Sequence, residues 1–312
     1  MSEQPDNWER QTLEKLALAG LTEQRRARKW GIFFKGIGFI YLFLVLFLAM
    51  GLMNPSELSS TRPHTALVRL EGVIAPGNQA GAEQIIEGLQ AAFKDKNTKG
   101  VILDINSPGG SPVQAGQIND EIKRLKAKYP KIPLYAVVED ICASGGYYVA
   151  VAADKIYVDK ASLVGSIGVL MDGFGFTGTM DKLGVERRLL TAGENKGFLD
   201  PFSPVDPKQK AYAQTMLDEI HQQFIDTVKA GRGARLKETS DMFSGLIWTG
   251  TKSIELGLAD GLGSAESVAR DVIKAKDIVD YTPRQSIADR VAKRFGAASA
   301  EAFTSFIGTH LR

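Results

Sequence analysis

The chain has 312 residues, of which 44% are hydrophobic, and its formal net charge is +2. This length can bury one large core or two smaller ones, while the near-neutral charge and the lack of a basic and aromatic stripe argue against nucleic acid as a partner. A single cysteine, Cys142, excludes a disulfide within one chain, and three dispersed histidines share no ligand spacing, so the sequence predicts no metal and no organic cofactor.

The N-terminal region combines a basic segment with an apolar one. Residues 1–35 are polar and rich in arginine and lysine, whereas residues 36–56 carry no charge and are long enough to span a bilayer as a helix. The apolar run starts too deep in the chain, and is too long, for a cleavable signal peptide. Because the basic residues precede the span, we expect residues 1–35 in the cytoplasm of a single-pass protein in a bacterial-type inner membrane. The bulk of the chain would be extracytoplasmic (periplasmic), after a linker at 57–64.

Residues 65–277 alternate between strand patterns and amphipathic helix patterns, which predicts an α/β fold with a mostly parallel sheet. Strands are predicted at 66–74, 100–105, 133–138, 155–158 and 183–190, and helices at 82–93, 113–128 and 207–228; residues 163–170 are apolar, with two glycines close to Ser166. Residues 278–312 lose strong patterning and are interpreted as a C-terminal tail, in which 286–295 can form an amphipathic basic helix.

The junction at Ser144 is the first candidate for chemistry. A buried strand precedes it and a run of small and apolar residues suited to a buried helix follows it, beginning with Gly145. A serine at a helix start can point its hydroxyl into a cleft where N–H groups favour negative charge, as a nucleophile requires. The alternative is that Ser144 only caps the helix. Cys142 is a second possible nucleophile, although a buried structural cysteine is the commoner outcome.

A serine nucleophile needs a base, and no histidine is well placed to provide one. A lysine can replace histidine when burial lowers its pKa. Lys196 is the candidate because it lies in a glycine-containing loop followed by apolar residues, and not on a charged helix face. The alternative is a solvated loop lysine. Gly109 and Gly110 follow a buried strand and can direct backbone N–H groups at an oxyanion, although a simple turn would also explain them.

Four motifs occur in the order seen in the signal peptide peptidase A family. They are residues 104–110 (DINSPGG), 143–148 (ASGGYY), 165–168 (GSIG) and 193–196 (GENK). The chain resembles the short, single-repeat form of this family over about residues 65–270. The family comprises membrane-bound serine peptidases of the crotonase/Clp-protease superfamily, so the resemblance implies repeated β-β-α units in a superhelix with parallel sheets, preceded by one transmembrane helix.

The resemblance also implies roles for individual residues. Ser144 would be the nucleophile and Lys196 the general base, with Ser166 orienting the lysine. Gly109 and Gly110 would form the oxyanion region, with the backbone at Gly145 contributing. The implied function is a Ser-Lys endopeptidase that degrades cleaved signal peptides, or other apolar peptides, at the membrane.

The family also forms homo-oligomeric rings in which neighbouring subunits can complete the dyad. Two alternatives to a peptidase stay open. One is a membrane-tethered scaffold or partner-binding ring with an inactive site. The other is a crotonase-like acyl-CoA enzyme, which also binds an oxyanion with backbone N–H groups.

Overall fold

The computed structural model describes residues 6–49 and 62–283. Within these residues, the strands are β1 (His64–Glu71), β2 (Thr98–Ser107), β3 (Leu134–Ala143), β4 (Lys155–Val158), β5 (Leu163–Gly165), β6 (Ile247–Thr249), β7 (Gly261–Leu262) and β8 (Ile278–Asp280). The helices are α1 (Asp6–Ala49), α2 (Ala82–Lys94), α3 (Pro112–Lys128), α4 (Gly145–Ala150), α5 (Thr177–Leu183), α6 (Pro207–Arg232), α7 (Gly250–Glu255) and α8 (Ala265–Ser267), with a 3-10 turn at Gly233–Arg235 and a π-helical turn at Val268–Ile273.

The strands form one sheet in the order β6-β5-β3-β2-β1-β8, and β4 and β7 branch from β3. All pairs are parallel except β5 with β6. Strand β3 pairs with β4 over residues 135–138 and with β5 over residues 141–143, so the sheet forks within β3. The predicted α/β class with a mostly parallel sheet is confirmed, and Ser144 follows the end of β3, which lies between β2 and β5.

Hydrophobic core residues pack against both faces of the sheet. On one face, helices α2 and α3 bury Leu89 and Ile118 against the strands, as parallel strands covered by helices require. On the other face, the π-helical turn covers Leu67 and Ile102. Helix α3 begins directly after the glycine loop because Pro112 occupies its first turn and the Ser111 hydroxyl accepts the Gln114 N–H.

The predicted strand at residues 183–190 is wrong. Helix α5 ends at Leu183, Gly184 takes a φ of +65°, and residues 185–190 are irregular and exposed. The apolar pattern of this segment predicts burial, but no strand of the described sheet lies beside it. The apolar side chains of this segment are therefore exposed to solvent in a single chain.

The apolar residues 163–170 form a strand only as far as Gly165. Gly165 and Ser166 take φ values of +120° and +51°, which turn the chain out of the extended conformation. The folded unit also extends beyond residue 277, where the sequence interpretation ends it, because β8 pairs with β1. The predicted helix at 286–295 lies outside the described residues.

The described residues of the N-terminal unit form one uninterrupted helix, α1, which has 44 residues. It includes most of the basic segment as well as most of the apolar run. Residues 11–46 are long and apolar enough for a membrane span, and every side chain described in them is exposed. The last residues of the predicted span, 50–56, and most of the linker lie outside the described residues.

A buried ion pair joins α6 to the β4–β7 branch. The Arg232 side chain is 1% exposed; its Nη1 and Nη2 donate to the Asp260 carboxylate at 2.7 and 3.0 Å, and its Nε donates to the Gly257 carbonyl at 2.7 Å. We expect Arg232→Ala to lower the free energy of unfolding by about 3 kcal/mol, because the largely buried Asp260 carboxylate then keeps, among the described residues, only the Ile156 N–H and a longer contact with Arg235 at 3.3 Å.

The control for this prediction is Lys229→Ala on the same helix, which removes a half-exposed pair with Glu238 and should cost about 1 kcal/mol or less. Urea denaturation of both variants gives the comparison. Equal losses would contradict the distinction between the buried and the exposed pair.

Candidate active site

Ser144 occupies a strained position between β3 and α4. Its φ and ψ are 52° and −121°, in a region that side-chain-bearing residues rarely adopt. Its N–H donates to the Gly165 carbonyl at 2.8 Å, and its carbonyl accepts the Tyr148 N–H at 2.9 Å. The Ser144 hydroxyl makes no capping hydrogen bond to α4, so the N-cap interpretation is not supported.

The loop of Gly109 and Gly110 lies directly against Ser144. Their φ values are +100° and +145°. A Cβ on Gly109 would lie 2.7 Å from the Ser144 Cβ, and a Cβ on Gly110 would lie 2.1 Å from the Ile74 carbonyl oxygen. Both positions therefore require glycine for steric and conformational reasons, and not only to make a turn.

The glycines differ in their free N–H groups. The Gly109 N–H donates to the Ser107 hydroxyl at 3.1 Å, so it is already engaged. The Gly110 nitrogen lies 3.3 Å from the point that a Cβ on Gly145 would occupy, and within the described residues neither the Gly110 N–H nor the Gly145 N–H donates a hydrogen bond. These two N–H groups can therefore bind a developing oxyanion beside Ser144, whereas Gly109 supports the loop.

An open pocket of about 570 Å³ contains these groups. Gly110, Ser144, Gly145 and Ser166 line it on one side. The other walls are mainly apolar and come from α3, α4, α6 and the segment after β5: Ala115, Tyr148, Val169, Leu170, Ile220 and Phe224. A serine hydroxyl, free backbone donors and an apolar cleft are the parts that acyl transfer from an apolar peptide requires.

The model of peptidase family S49 matches residues 126–279, which include Ser144 and Ser166. A putative protease of Methanocaldococcus jannaschii is 33% identical over 213 residues, which cover 67% of this chain and 68% of that protein. The chain belongs to peptidase family S49. The family and this relative support the predicted enzyme class, a serine peptidase, and the predicted family resemblance is confirmed.

Two other relatives are longer than the matched segment. The Na(+)/H(+) antiporter NhaA of Brucella melitensis is 40% identical over 266 residues, which cover 82% of this chain but only 36% of that protein. The putative signal peptide peptidase SppA of Enterococcus faecium is 29% identical over 204 residues, 65% of this chain and 59% of that protein. The chain thus spans about a third of the antiporter and somewhat over half of the Enterococcus protein.

Ser166 is the second non-glycine residue with a positive φ in the pocket that contains Ser144, and its φ is 51°. Its N–H donates to the Leu246 carbonyl at 2.7 Å, and its half-buried side chain lines the pocket that Ser144 also lines. The carbonyl of the preceding residue, Gly165, holds the Ser144 N–H. The two serines are therefore fixed to the same backbone segment.

Lys196 does not line the pocket. It lies in a turn closed by its own N–H and the Gly193 carbonyl at 3.1 Å, and its side chain is exposed. Among the described residues, the pocket lining contains no lysine, histidine or carboxylate. His221 packs nearby on α6, but its Nε2 contacts the Ile167 carbonyl at 3.1 Å, which only accepts hydrogen bonds. Within residues 6–49 and 62–283, a single chain thus places no base in the pocket of Ser144.

Cys142 is fully buried in β3 and does not line the pocket. Burial raises the pKa of its thiol well above the ordinary value, which disfavours the thiolate. The thiol nucleophile alternative is therefore not supported. In the described part of the chain, no group of three or more histidine, cysteine, aspartate or glutamate side chains could hold a metal ion.

Ser107 is a positioning residue that the sequence interpretation missed. It is fully buried at the end of β2, where its hydroxyl donates to the Gly72 carbonyl at 2.7 Å and accepts the Gly109 N–H at 3.1 Å. These bonds tie the glycine loop to the end of β1. The only signal in the sequence is a polar residue at the end of a buried strand.

We expect Ser107→Ala to lower kcat by about tenfold or more with little change in KM, because the released Gly109 N–H loosens the loop that carries the Gly110 N–H. Ser107→Thr keeps the hydroxyl and should retain more activity than the alanine variant. Steady-state kinetics of both variants test this, and an unchanged kcat in Ser107→Ala would contradict the positioning role.

Asp104 is a second buried polar residue, on the opposite side of the sheet from α2 and α3. It lines a separate pocket of about 980 Å³ with Arg69, Glu139 and Glu266. Burial, then the charge of Glu139, raise the pKa of Asp104 from 3.8 to about 7. Its proton is therefore bound more tightly in the folded than in the unfolded chain. The signal was present in the sequence as the one charge within an apolar strand.

Stability should accordingly fall as pH rises from the unfolded value of the Asp104 pKa, near 3.8, towards about 7, and change no further through this group above that. We expect Asp104→Asn to raise Tm at about pH 8 by several degrees and to change it little near pH 4. Asp120→Asn, on an exposed carboxylate of α3, is the control. Thermal unfolding across pH gives the result, and parallel curves for wild type and Asp104→Asn would contradict it.

Proposed function

We propose that this chain is a serine endopeptidase in which Ser144 attacks the carbonyl of a peptide bond. The observation that carries the proposal is the strained Ser144, which sits beside the unengaged N–H groups of Gly110 and Gly145 in an apolar pocket. Strain at a non-glycine residue is kept where surrounding structure enforces it, which is common at active sites. Family membership supports the same activity.

Lys196 is the proposed general base, supplied by a neighbouring copy of the chain. Two observations support this assignment: the pocket lining contains no base among the described residues, and Lys196 stands exposed on a loop where a second copy can reach it. Several large apolar side chains around this loop are also exposed, as expected of a surface that self-associates. They are Leu170, Phe174, Leu183, Leu190 and Val205. The proposed assembly is a homo-oligomeric ring.

The proposed reaction follows from these positions. The neutral amine of Lys196 takes the proton of the Ser144 hydroxyl as the Oγ bonds to the carbonyl carbon. The oxyanion accepts hydrogen bonds from the Gly110 and Gly145 N–H groups, and the lysine ammonium then protonates the leaving amine. Water attacks the resulting acyl-enzyme in the same way and releases the acid. Ser166 orients the amine.

The proposed substrates are apolar peptides, including cleaved signal peptides, at the membrane. The apolar walls of the pocket and helix α1, which is apolar and long enough to span a bilayer, support this choice. The basic residues before the span support a cytoplasmic N-terminus and a peptidase domain on the other side of the membrane. The antiporter activity in one relative's name is not carried over, because most of that protein lies outside the match.

A fluorophosphonate probe tests the proposal on the full-length chain in detergent. We expect covalent labelling on Ser144, located by peptide mass mapping, and competition by an apolar peptide substrate. Absence of labelling in correctly assembled protein would favour an inactive scaffold. Labelling that a long-chain acyl-CoA blocks, but that apolar peptides leave unchanged, would favour an acyl-CoA enzyme.

A further inference from the structure

One face of helix α1 carries a groove that the peptidase function does not use. The groove is shallow and open, with a volume of about 320 Å³, and is lined by Arg26, Lys29, Trp30 and Phe33. Their spacing of three, four and seven residues places all four side chains on the same side of the helix. The groove therefore combines two cations at its N-terminal end with two aromatic rings towards the apolar run.

The aromatic end of the groove is an ordered cluster. The ring centroids of Trp30 and Phe33 lie 5.6 Å apart in an edge-on arrangement, and Phe34 stacks on Trp30 at 5.7 Å. Trp30 and Phe33 are each 54% exposed despite these contacts. They stand where the charged segment ends and the apolar run begins, the depth at which aromatic side chains favour a membrane interface.

The charge of this region is strongly positive. Five basic residues lie between positions 25 and 35, and no acidic residue occurs from position 24 to position 53. Within the described part of the chain, none of the five forms an ion pair with a carboxylate. Basic clusters beside a membrane span attract anionic lipid.

We propose that the groove binds an anionic phospholipid of the bilayer that α1 spans. Arg26 and Lys29 hold the phosphodiester, and an acyl chain lies along Trp30 and Phe33. This inference rests on the proposed membrane span but not on the peptidase activity. The bound lipid fixes the depth of the helix in the membrane, and membranes rich in anionic lipid hold the protein more firmly.

Two double variants distinguish lipid binding in the groove from general attraction of a basic helix to an anionic membrane surface. Arg26→Gln with Lys29→Gln removes two charges from the groove. Arg25→Gln with Arg28→Gln removes the same number from side chains that do not line it. Net charge, distance from the span and helix propensity are closely matched between the two double variants.

The experiment uses the full-length chain in nanodiscs of phosphatidylcholine with a fraction of phosphatidylglycerol, and counts retained lipids by native mass spectrometry. We expect the groove variant to lose bound phosphatidylglycerol by about tenfold, and the matched variant by about twofold or less. Equal losses in the two variants would contradict lipid binding in the groove, and so would an unchanged lipid count in the groove variant.

Membrane insertion is measured separately by resistance to carbonate extraction. Wild-type protein that is extracted would contradict the span and this inference with it. Inserted protein without preference for phosphatidylglycerol would contradict this inference alone. Probe labelling of Ser144 in the same samples reports the peptidase domain independently, because neither double variant touches it.

Discussion

Replacing Ser144 by alanine is expected to lower kcat by about 10⁴-fold or more. In the proposed mechanism, the Ser144 hydroxyl is the group that attacks the peptide carbonyl. Without it, the Gly110 and Gly145 N–H groups can still bind an oxyanion, but no acyl-enzyme forms. The backbone at Ser144 is held by hydrogen bonds of its own N–H and carbonyl, so the substitution should leave the fold intact. Hydrolysis of an apolar fluorogenic peptide, with circular dichroism and the oligomeric state as checks, measures the effect.

Cys142→Ala is the matched control for this prediction. Cys142 lies two residues earlier on the same strand, is buried, and makes no contribution to the pocket lining. We expect its activity to stay within about threefold of wild type. Activity that survives in Ser144→Ala but disappears in Cys142→Ala would indicate that the Cys142 thiol is the nucleophile.

The order of strands and helices around the site could be predicted because each pattern there reflects burial within one chain. The apolar run before the glycine loop is β2, which is buried on both faces, and the helix after the loop begins at Pro112 as its proline and serine indicate. The same logic fails at residues 183–190. Those apolar side chains are exposed on one chain, so their pattern does not report an internal strand.

In the candidate active site, too, some features could be predicted from the sequence and others could not. A serine and two glycines at strand ends predict a nucleophile beside backbone donors, and the structure brings Ser144, Gly110 and Gly145 into one pocket. Which N–H is free could not be predicted, because it depends on a hydrogen bond from Gly109 to Ser107 that no residue pattern encodes. The burial expected of a lysine base is also missing, since Lys196 is exposed in a single chain.

Lys196→Arg and Lys196→Ala are both expected to lower kcat by about 10³-fold or more. A guanidinium keeps its proton under all working conditions and cannot accept another from Ser144. Alanine removes the base entirely, so the two variants should be similarly inactive although the arginine side chain is positively charged and the alanine side chain is neutral. Lys182→Ala, on an exposed lysine at the end of α5, is the control and should retain activity.

Mixing the two inactive proteins separates a base from the same chain from one on a neighbour. After subunit exchange, a Lys196→Ala chain still carries Ser144 and a Ser144→Ala chain still carries Lys196. If each site combines groups from adjacent copies in a closed ring, random mixing should restore about a quarter of wild-type activity. No recovery after verified exchange would place both groups in one chain, which requires the Lys196 loop to move to the pocket on assembly. Full activity in Lys196→Ala alone would remove this lysine from the mechanism.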